Sequence, residues 1–460
     1  MSGDTTVHKM RINTEIFKAY DVRGLYPGEI NEEVARLIGR GFVSYLGAKH
    51  IGVSRDMRIS SPGLAAAFIQ GAREQGADVT DFGMLGTDML YFGVVNDRLE
   101  GGAQITASHN PKQYNGIKMV RSGALPLSID AGLGEIRDTL VHDRLPPLAA
   151  TPGSVFPRNI LFEYVEKVMS FIEPSVIKPF TVVLDAGSGM AGLVAPLLFD
   201  QLPCRTTKLC FDIDGTFPHH EANPLIEENR RDITEEVIRQ RADIGIAWDG
   251  DADRCFFIDG TGDFVPGDFV TALLAEAFLL KHPGATIIYD LRASRAVKDI
   301  VERYGGRALM NRVGHAFIKR RMREEDGIFA GEVTGHYYFR DFSYADNGFI
   351  PALLILELMS KKNQSLHDLL RPLRERYFIS GEINTKLASM TEVPKKLQAI
   401  EARYGDAELA SMDGISVDYP DWHFNVRASN TEPLLRLNLE AATPELMERK
   451  RDEVLSLIRG

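Results

Sequence analysis

Cysteine is scarce in this chain. Only Cys204, Cys210 and Cys255 occur, an odd, sparse set that excludes a disulfide framework and fits a reducing compartment. The spacing of Cys204 and Cys210 matches no zinc pattern, and all three read as structural bystanders. Long apolar runs are also missing. None approaches the ~18–20 residues of a membrane span, and the most apolar stretch, 349–359, is interrupted by Glu357 and reads as a buried helix. Residues 1–11 are polar and carry no apolar signal region, so the expected location is the cytoplasm. An excess of positive charge is lacking too: 53 basic side chains face 64 acidic ones, for a net charge of −11. Such a surface repels nucleic acid and anionic membranes, which excludes both as partners. It also repels phosphorylated small molecules weakly, so a phosphate ligand would need cations gathered locally.

What is present is a repeated pattern. The 460 residues correspond to about three or four domains. Three segments share one design: a short β-branched run, an Asp, a small-residue turn, then a helical pattern. They are Ile51-Gly52-Val53-Ser54-Arg55-Asp56 leading into 64–73, Thr181-Val182-Val183-Leu184-Asp185 into 193–202, and Thr286-Ile287-Ile288-Tyr289-Asp290 into 296–304. In the first and third the turn reads Asp-x-Arg-x-Ser; in the second, Asp-x-Gly-x-Gly. A strand feeding a helix is half a βαβ unit, which predicts mixed or parallel sheets covered by helices. The predicted fold class is therefore α/β, with three related α/β domains and a smaller α+β C-terminal domain. The predicted extents are 1–154, 155–256, 257–372 and 373–460. In the last, a strand at 434–439 and helices at 394–403 and 444–458 are expected, and 405–422 reads as loop.

Four motifs carry chemistry. In Thr106-Ala107-Ser108-His109-Asn110-Pro111, small neighbours allow backbone N–H groups to converge on a phosphate, and Lys118 can return from the next strand to neutralise charge. A serine needs such help to act as a nucleophile; alone, the run reads equally as a polar turn closed by Pro111. Asp249-Gly250-Asp251-Ala252-Asp253-Arg254 follows an apolar strand. Three alternating carboxylates repel one another unless a cation compensates, and hard oxygen donors select Mg²⁺, Mn²⁺ or Ca²⁺; the alternative is a solvated acidic turn. An EF-hand fails, because its sixth position is Arg254 and its twelfth is Gly260. Gly331-Glu332-Val333-Thr334-Gly335-His336 could hydrogen-bond a polyol or be an ordinary turn. Arg427-Ala428-Ser429-Asn430-Thr431, with Arg436 beyond, suits a phosphate dianion or a capping turn. A fifth run, Gly187-Ser188-Gly189-Met190-Ala191-Gly192, imitates a dinucleotide fingerprint. Asp185 would face the pyrophosphate there, which argues against it.

Together these motifs resemble the α-D-phosphohexomutase family. The likeness extends to Tyr20-Asp21-Val22-Arg23-Gly24 and to Arg312-Val313-Gly314-His315-Ala316-Phe317-Ile318-Lys319, and so covers essentially the whole chain. It implies four domains in a heart shape around one cleft. It implies that Ser108 is a phosphoserine and that Asp249, Asp251 and Asp253 bind one Mg²⁺, completed by an oxygen of the Ser108 phosphate. Glu332, Thr334 and His336 would meet the sugar, and Arg427, Ser429, Asn430 and Thr431 the non-reacting phosphate. Tyr20, Arg23, Lys118, Arg254, Arg292 and His315 would line the cleft. The implied reaction interconverts a hexose 6-phosphate and its 1-phosphate through a hexose 1,6-bisphosphate, which is also the activator. His315 and Lys118 are the acid/base candidates, with His336 in reserve, and the fourth domain is expected to close over substrate. Thr334 stands where the family often has Ser, and Arg292 where Lys is common. The Gly-Glu-Val-Thr-Gly-His loop leans toward mannose and glucose phosphates. Alternatives are glucose- or pentose-phosphate specificity, a Mg²⁺-dependent sugar phosphatase, and a non-catalytic sugar-phosphate-binding protein. A monomer is expected, with a dimer as the alternative.

Overall fold

The computed structural model describes residues 12–429 and 433–460. Among these residues the strands form four sheets. The first has seven strands; along its main path run Val22–Leu25, Tyr114–Arg121, Gly101–Ile105, His50–Arg55, Asp78–Met84 and Val155–Pro157. The second runs Phe264–Val265, Cys255–Asp259, Ile244–Trp248, Thr181–Asp185, Arg205–Leu209; the third runs Arg307–Asn311, Thr286–Asp290, Phe329–Gly331, Tyr337–Phe339, Ala345–Asp346. Each of these three mixes parallel and antiparallel pairs. The fourth is wholly antiparallel and carries the helices Glu392–Arg403 and Pro444–Arg459.

The three repeated strand–turn–helix units are all present, with helices at Ser61–Glu74, Ala191–Phe199 and Arg295–Arg303. In each unit the Asp carboxylate accepts a backbone N–H two residues on: Arg58, Gly187 and Arg292 donate to Asp56, Asp185 and Asp290 at 2.8–3.0 Å. That local bond explains why an Asp recurs at each strand end. The apolar stretch around Glu357 forms the buried helix Ile350–Lys362; Glu357 is tolerated because Lys281 and Lys361 pair with it.

The structure redraws three sequence cuts by a few residues. Val155–Pro157, assigned on sequence to the second domain, hydrogen-bonds along Asp78–Met84 in the first sheet. Cys255–Asp259 and Phe264–Val265 complete the second sheet, so its boundary moves past Val265. The last cut falls inside the helix Leu366–Arg374 and moves past its end. In addition, 405–422 is not all loop: Glu408–Ala410 and Ile415–Tyr419 are edge strands. The Gly and Asp content there concealed strands too short to show alternation.

One continuous core runs through the first three domains, from Met57 and Leu90 through Leu184 and Trp248 to Phe329 and Leu370. A buried polar knot ties them further. Asn347 donates to the Asp88 carboxylate at 2.7 Å and to the Tyr164 hydroxyl at 2.8 Å, and Tyr164 in turn donates to Asp88. The fourth domain has its own core, around Tyr404, Phe424, Val426, Leu437 and Ile458. Its seam with the third domain is largely polar: Arg292 to Glu382, Arg295 to Asp418 and to the Pro420 carbonyl, and Val313 N–H to Asp413.

Candidate active site

The serine loop leaves the strand Gly101–Ile105 and returns as Tyr114–Arg121. Ser108 is buried and sits at φ 50°, in the left-handed region. The loop is held from beneath by Arg58, a fully buried side chain of the first repeat's turn. Its guanidinium donates to the carbonyls of Ser108, Asn110, Pro111 and Tyr114 at 2.5–3.0 Å and pairs with Asp56 at 3.2 Å. A Cβ on Gly250 would lie 2.6 Å from the Ser108 carbonyl oxygen. Only glycine lets the carboxylate loop press this closely on the serine loop.

That approach joins the first two motifs. Ser108 Oγ donates to Asp249 Oδ2 at 2.8 Å. The Lys118 ammonium, projecting from the returning strand, bridges Asp251 at 2.7 Å and Asp253 at 2.6 Å, and Thr87 donates to Asp251 at 2.5 Å. The three carboxylates converge within 4.8 Å and are fully buried. Burial, with Asp253 and Asp251 adding to it, pushes the Asp249 carboxyl well above the carboxylate range. Burial also opposes charge on Asp251, but Lys118 outweighs it and holds that group low. Asp251 Oδ1 and Asp253 Oδ1 are buried without hydrogen-bond partners. One ammonium on three carboxylates, with two orphaned oxygens, fits a hard divalent cation.

The third motif, through Val333 and Thr334, and Arg436 beyond the fourth line a cleft of about 770 Å³ whose wall also includes His109, Arg254, Arg292 and Glu382. Arg254 donates from Nε to His336 Nε2 at 3.0 Å, while His336 Nδ1 lies 3.1 Å from Asp346 Oδ2. A ring that accepts at Nε2 carries its proton on Nδ1, facing the Asp346 carboxylate. Asp346 is paired in turn with the fully buried Lys319, at 2.6 Å, whose ammonium lies 4.1 Å over the Tyr91 ring. His336 thus accepts from Arg254 through Nε2, while its Nδ1 lies beside Asp346 without a hydrogen bond of its own. Glu332 accepts from the Gly314 N–H at 3.0 Å and from the Tyr338 hydroxyl at 2.6 Å. Arg292 forks onto Asp290 at 2.8 and 3.0 Å.

Tyr20 and His315 meet edge to face at 5.0 Å, and Arg23 donates to Asn110 at 2.6 Å. His315 begins the helix His315–Glu324, where the dipole disfavours an imidazolium. Burial and then Lys319 keep its pKa well below the usual value. His109, 3.2 Å from Ser108 Oγ, is kept neutral by burial and then by Arg254 and Arg23. The burial cost of the Lys118 ammonium is outweighed by Asp251 and Asp253, so it stays charged. Arg427 reaches Glu382 at 3.4 Å, as do Arg436 at 3.0 Å and Arg292 at 3.3 Å. Ser429 is buried, with its N–H bonded to the Leu434 carbonyl; Asn430 and Thr431 lie outside the described residues.

Four domain families of one type match in chain order: phosphoglucomutase/phosphomannomutase domain I over 14–141, domain II over 162–262, domain III over 266–377 and the C-terminal domain over 382–457. The chain belongs to the phosphoglucomutase/phosphomannomutase family. It is an enzyme of the mutase class, an intramolecular phosphotransferase. The mutase is 42% identical over 451 residues to a phosphomannomutase of Escherichia coli, covering 96% of this chain and 99% of that one. It is 42% identical over 447 residues to a Xanthomonas campestris protein described as phosphohexose mutases, again covering 96% and 99%. A solved phosphoglucomutase/phosphomannomutase family protein from Burkholderia thailandensis superposes with a TM-score of 0.88 at 33% identity, covering 97% of this chain and 98% of that one. Among the described residues, no helix of the mutase is long and apolar enough to cross a membrane.

Sequence reading missed several residues of this site. Arg58, Thr87, Asp346 and Glu382 lie outside the four chemical motifs, and Lys319 closes the run at 312–319 without a role assigned there; their contacts with distant segments reveal them. His109 stood inside a motif, next to Ser108, and its adjacency was the signal.

Proposed function

We propose that this mutase interconverts mannose 6-phosphate and mannose 1-phosphate, and also accepts glucose phosphates, through a phosphoserine at Ser108 and a hexose 1,6-bisphosphate. The observation that carries the reading is the contact of the Ser108 hydroxyl with Asp249 beside two further carboxylates, at the edge of a cleft lined by arginines. The mannose preference draws on the relatives described as phosphomannomutases and on the Glu332 to His336 loop.

Asp249, Asp251 and Asp253 would hold Mg²⁺, which when bound supplies charge neutralisation for the phosphoryl group. The chain's own residues do the rest. Lys118, held charged, and Arg254, aimed by His336 and Asp346, neutralise the phosphoryl oxygens. The neutral rings of His109 and His315 are the groups able to accept a sugar-hydroxyl proton; Lys118 is too firmly paired to exchange one. Glu332 and Thr334 meet the sugar, and Arg427 and Ser429 hold the phosphate that does not react, with the fourth domain closing over it. The acidic chain thereby concentrates its positive charge where a phosphate ester must sit. The ligands are small hexose phosphates, and a monomer, with a dimer as the alternative, is the expected assembly.

A coupled assay with mannose 1-phosphate and glucose 1-phosphate, each with a trace of the 1,6-bisphosphate, tests the reading. Turnover of both, faster on the mannose ester, is expected. Release of free phosphate without formation of a 6-phosphate would replace it with a phosphatase. In the same assay, excess chelator should abolish turnover and added Mg²⁺ restore it. Full activity in chelator would remove the metal role of Asp249, Asp251 and Asp253.

A further inference from the structure

The glycine-rich turn that imitates a dinucleotide fingerprint plays no part in the reaction above, yet it adjoins a second cluster of metal-binding side chains. Asp185 ends the strand Thr181–Asp185, and Cys210 follows the end of its parallel neighbour Arg205–Leu209. His220 enters from the loop beyond. The C-terminal edge of parallel strands is where α/β sheets place ligands. Cys210 Sγ lies 3.6 Å from His220 Nε2, which lies 3.1 Å from Asp185 Oδ2, and the three donor atoms are all within 4.8 Å of one another. Zinc bonds of about 2.0–2.3 Å in tetrahedral geometry set ligand atoms roughly 3.3–3.6 Å apart, close to these separations.

The surroundings fix each donor. His220 Nδ1 lies 3.0 Å from the Glu221 carbonyl oxygen. A carbonyl only accepts, so Nδ1 carries the proton, and Nε2 is the nitrogen turned to Asp185 and Cys210. This carbonyl-oriented tautomer is the usual outer partner of a metal-bound histidine. Asp185 Oδ1 accepts from the Gly187 N–H at 2.9 Å, leaving Oδ2 to the cluster. Cys210 is held at φ 53°, with its carbonyl accepting from the Ser188 N–H at 2.8 Å. Ser188 itself is buried, and its hydroxyl has no hydrogen-bond partner.

We infer that Asp185, Cys210 and His220 form a second cation site, taking a borderline d-block ion such as Zn²⁺ and distinct from the all-carboxylate triad. Donor chemistry separates the two: thiolate and imidazole favour Zn²⁺ or Co²⁺, whereas Mg²⁺ prefers oxygen alone. Three protein ligands leave a fourth position for water or an exogenous ligand. The site lies one turn from the catalytic carboxylates, since the Met190 N–H that follows the glycine turn donates to the Gly250 carbonyl at 2.9 Å.

The test uses the full chain saturated with Mg²⁺, which fills the oxygen site, and titrated with Co²⁺. A near-ultraviolet thiolate-to-Co²⁺ charge-transfer band is expected, abolished by one equivalent of Zn²⁺. Cys210→Ala should lose the band and Cys204→Ala should keep it. His220→Gln, which retains the thiol, should weaken binding by more than the about 10–100-fold that loss of an outer-shell partner costs. No band in the unaltered protein, or a band at undiminished affinity in both Cys210→Ala and His220→Gln, overturns the assignment.

Discussion

Ser108→Ala should lower turnover by more than about 10³-fold, the scale on which removal of a covalent nucleophile acts. The substitution is a clean one. Ser108 already sits at φ 50°, a left-handed conformation that costs an L-residue roughly 1–2 kcal/mol, and alanine carries the same backbone cost. The hydroxyl's contacts are to Asp249 and His109, so the fold loses little. Two measurements decide the matter: steady-state turnover in the coupled assay, and intact mass after incubation with the 1,6-bisphosphate. The unaltered enzyme should gain one phosphoryl group and Ser108→Ala none. Wild-type turnover in the variant would exclude the phosphoserine.

Arg58→Met should be the most damaging change away from the reacting atoms. The guanidinium satisfies four loop carbonyls and the buried Asp56. Methionine keeps much of the apolar stem but is shorter, leaving those acceptors unpaired and a carboxylate buried without its partner. Breaking a buried pair in this way costs about 3–5 kcal/mol. Activity should fall further than stability predicts, because the same carbonyls fix the loop that carries Ser108. Arg58→Lys should recover only part of both, since a point-like ammonium cannot serve four acceptors as a fork does. Denaturant melts and kcat at a temperature where both proteins are folded separate the two effects. A variant with native stability and native kcat would show that the loop holds its shape unaided.

The fold was legible where its signal was periodic. Three copies of a β-branched run, an Asp and a helix implied three α/β domains, and each Asp proves to close its own turn. Cuts between domains were less legible, because Val155–Pro157 and Phe264–Val265 are too short to show a period and belong to whichever sheet offers an edge. At the site, contiguous motifs announced Ser108 and the three aspartates. Asp346 and Glu382 were silent, and Lys319 stood in a quoted run without a role: the meaning of each lies in contacts with distant segments. At 187–192 the fingerprint-like turn belongs to the repeated strand–turn–helix unit, and its Ser188 N–H donates to the Cys210 carbonyl. Cys210, read as a bystander from spacing, acquires partners only once the parallel strand end and the loop bring Asp185 and His220 beside it.

The separate core of the fourth domain bears on how the cleft opens. Apart from Tyr377 and Ile379, which pack on the core of the first three domains, what joins the fourth domain to the third is mainly the seam of Arg292 with Glu382, Arg295 with Asp418, and a few backbone acceptors. Such contacts are weakened by dissolved ions over a screening distance of about 8 Å at physiological salt, whereas apolar contacts are not. On the proposed closure of the fourth domain, added salt should therefore loosen this seam more than the packed cores on either side of it.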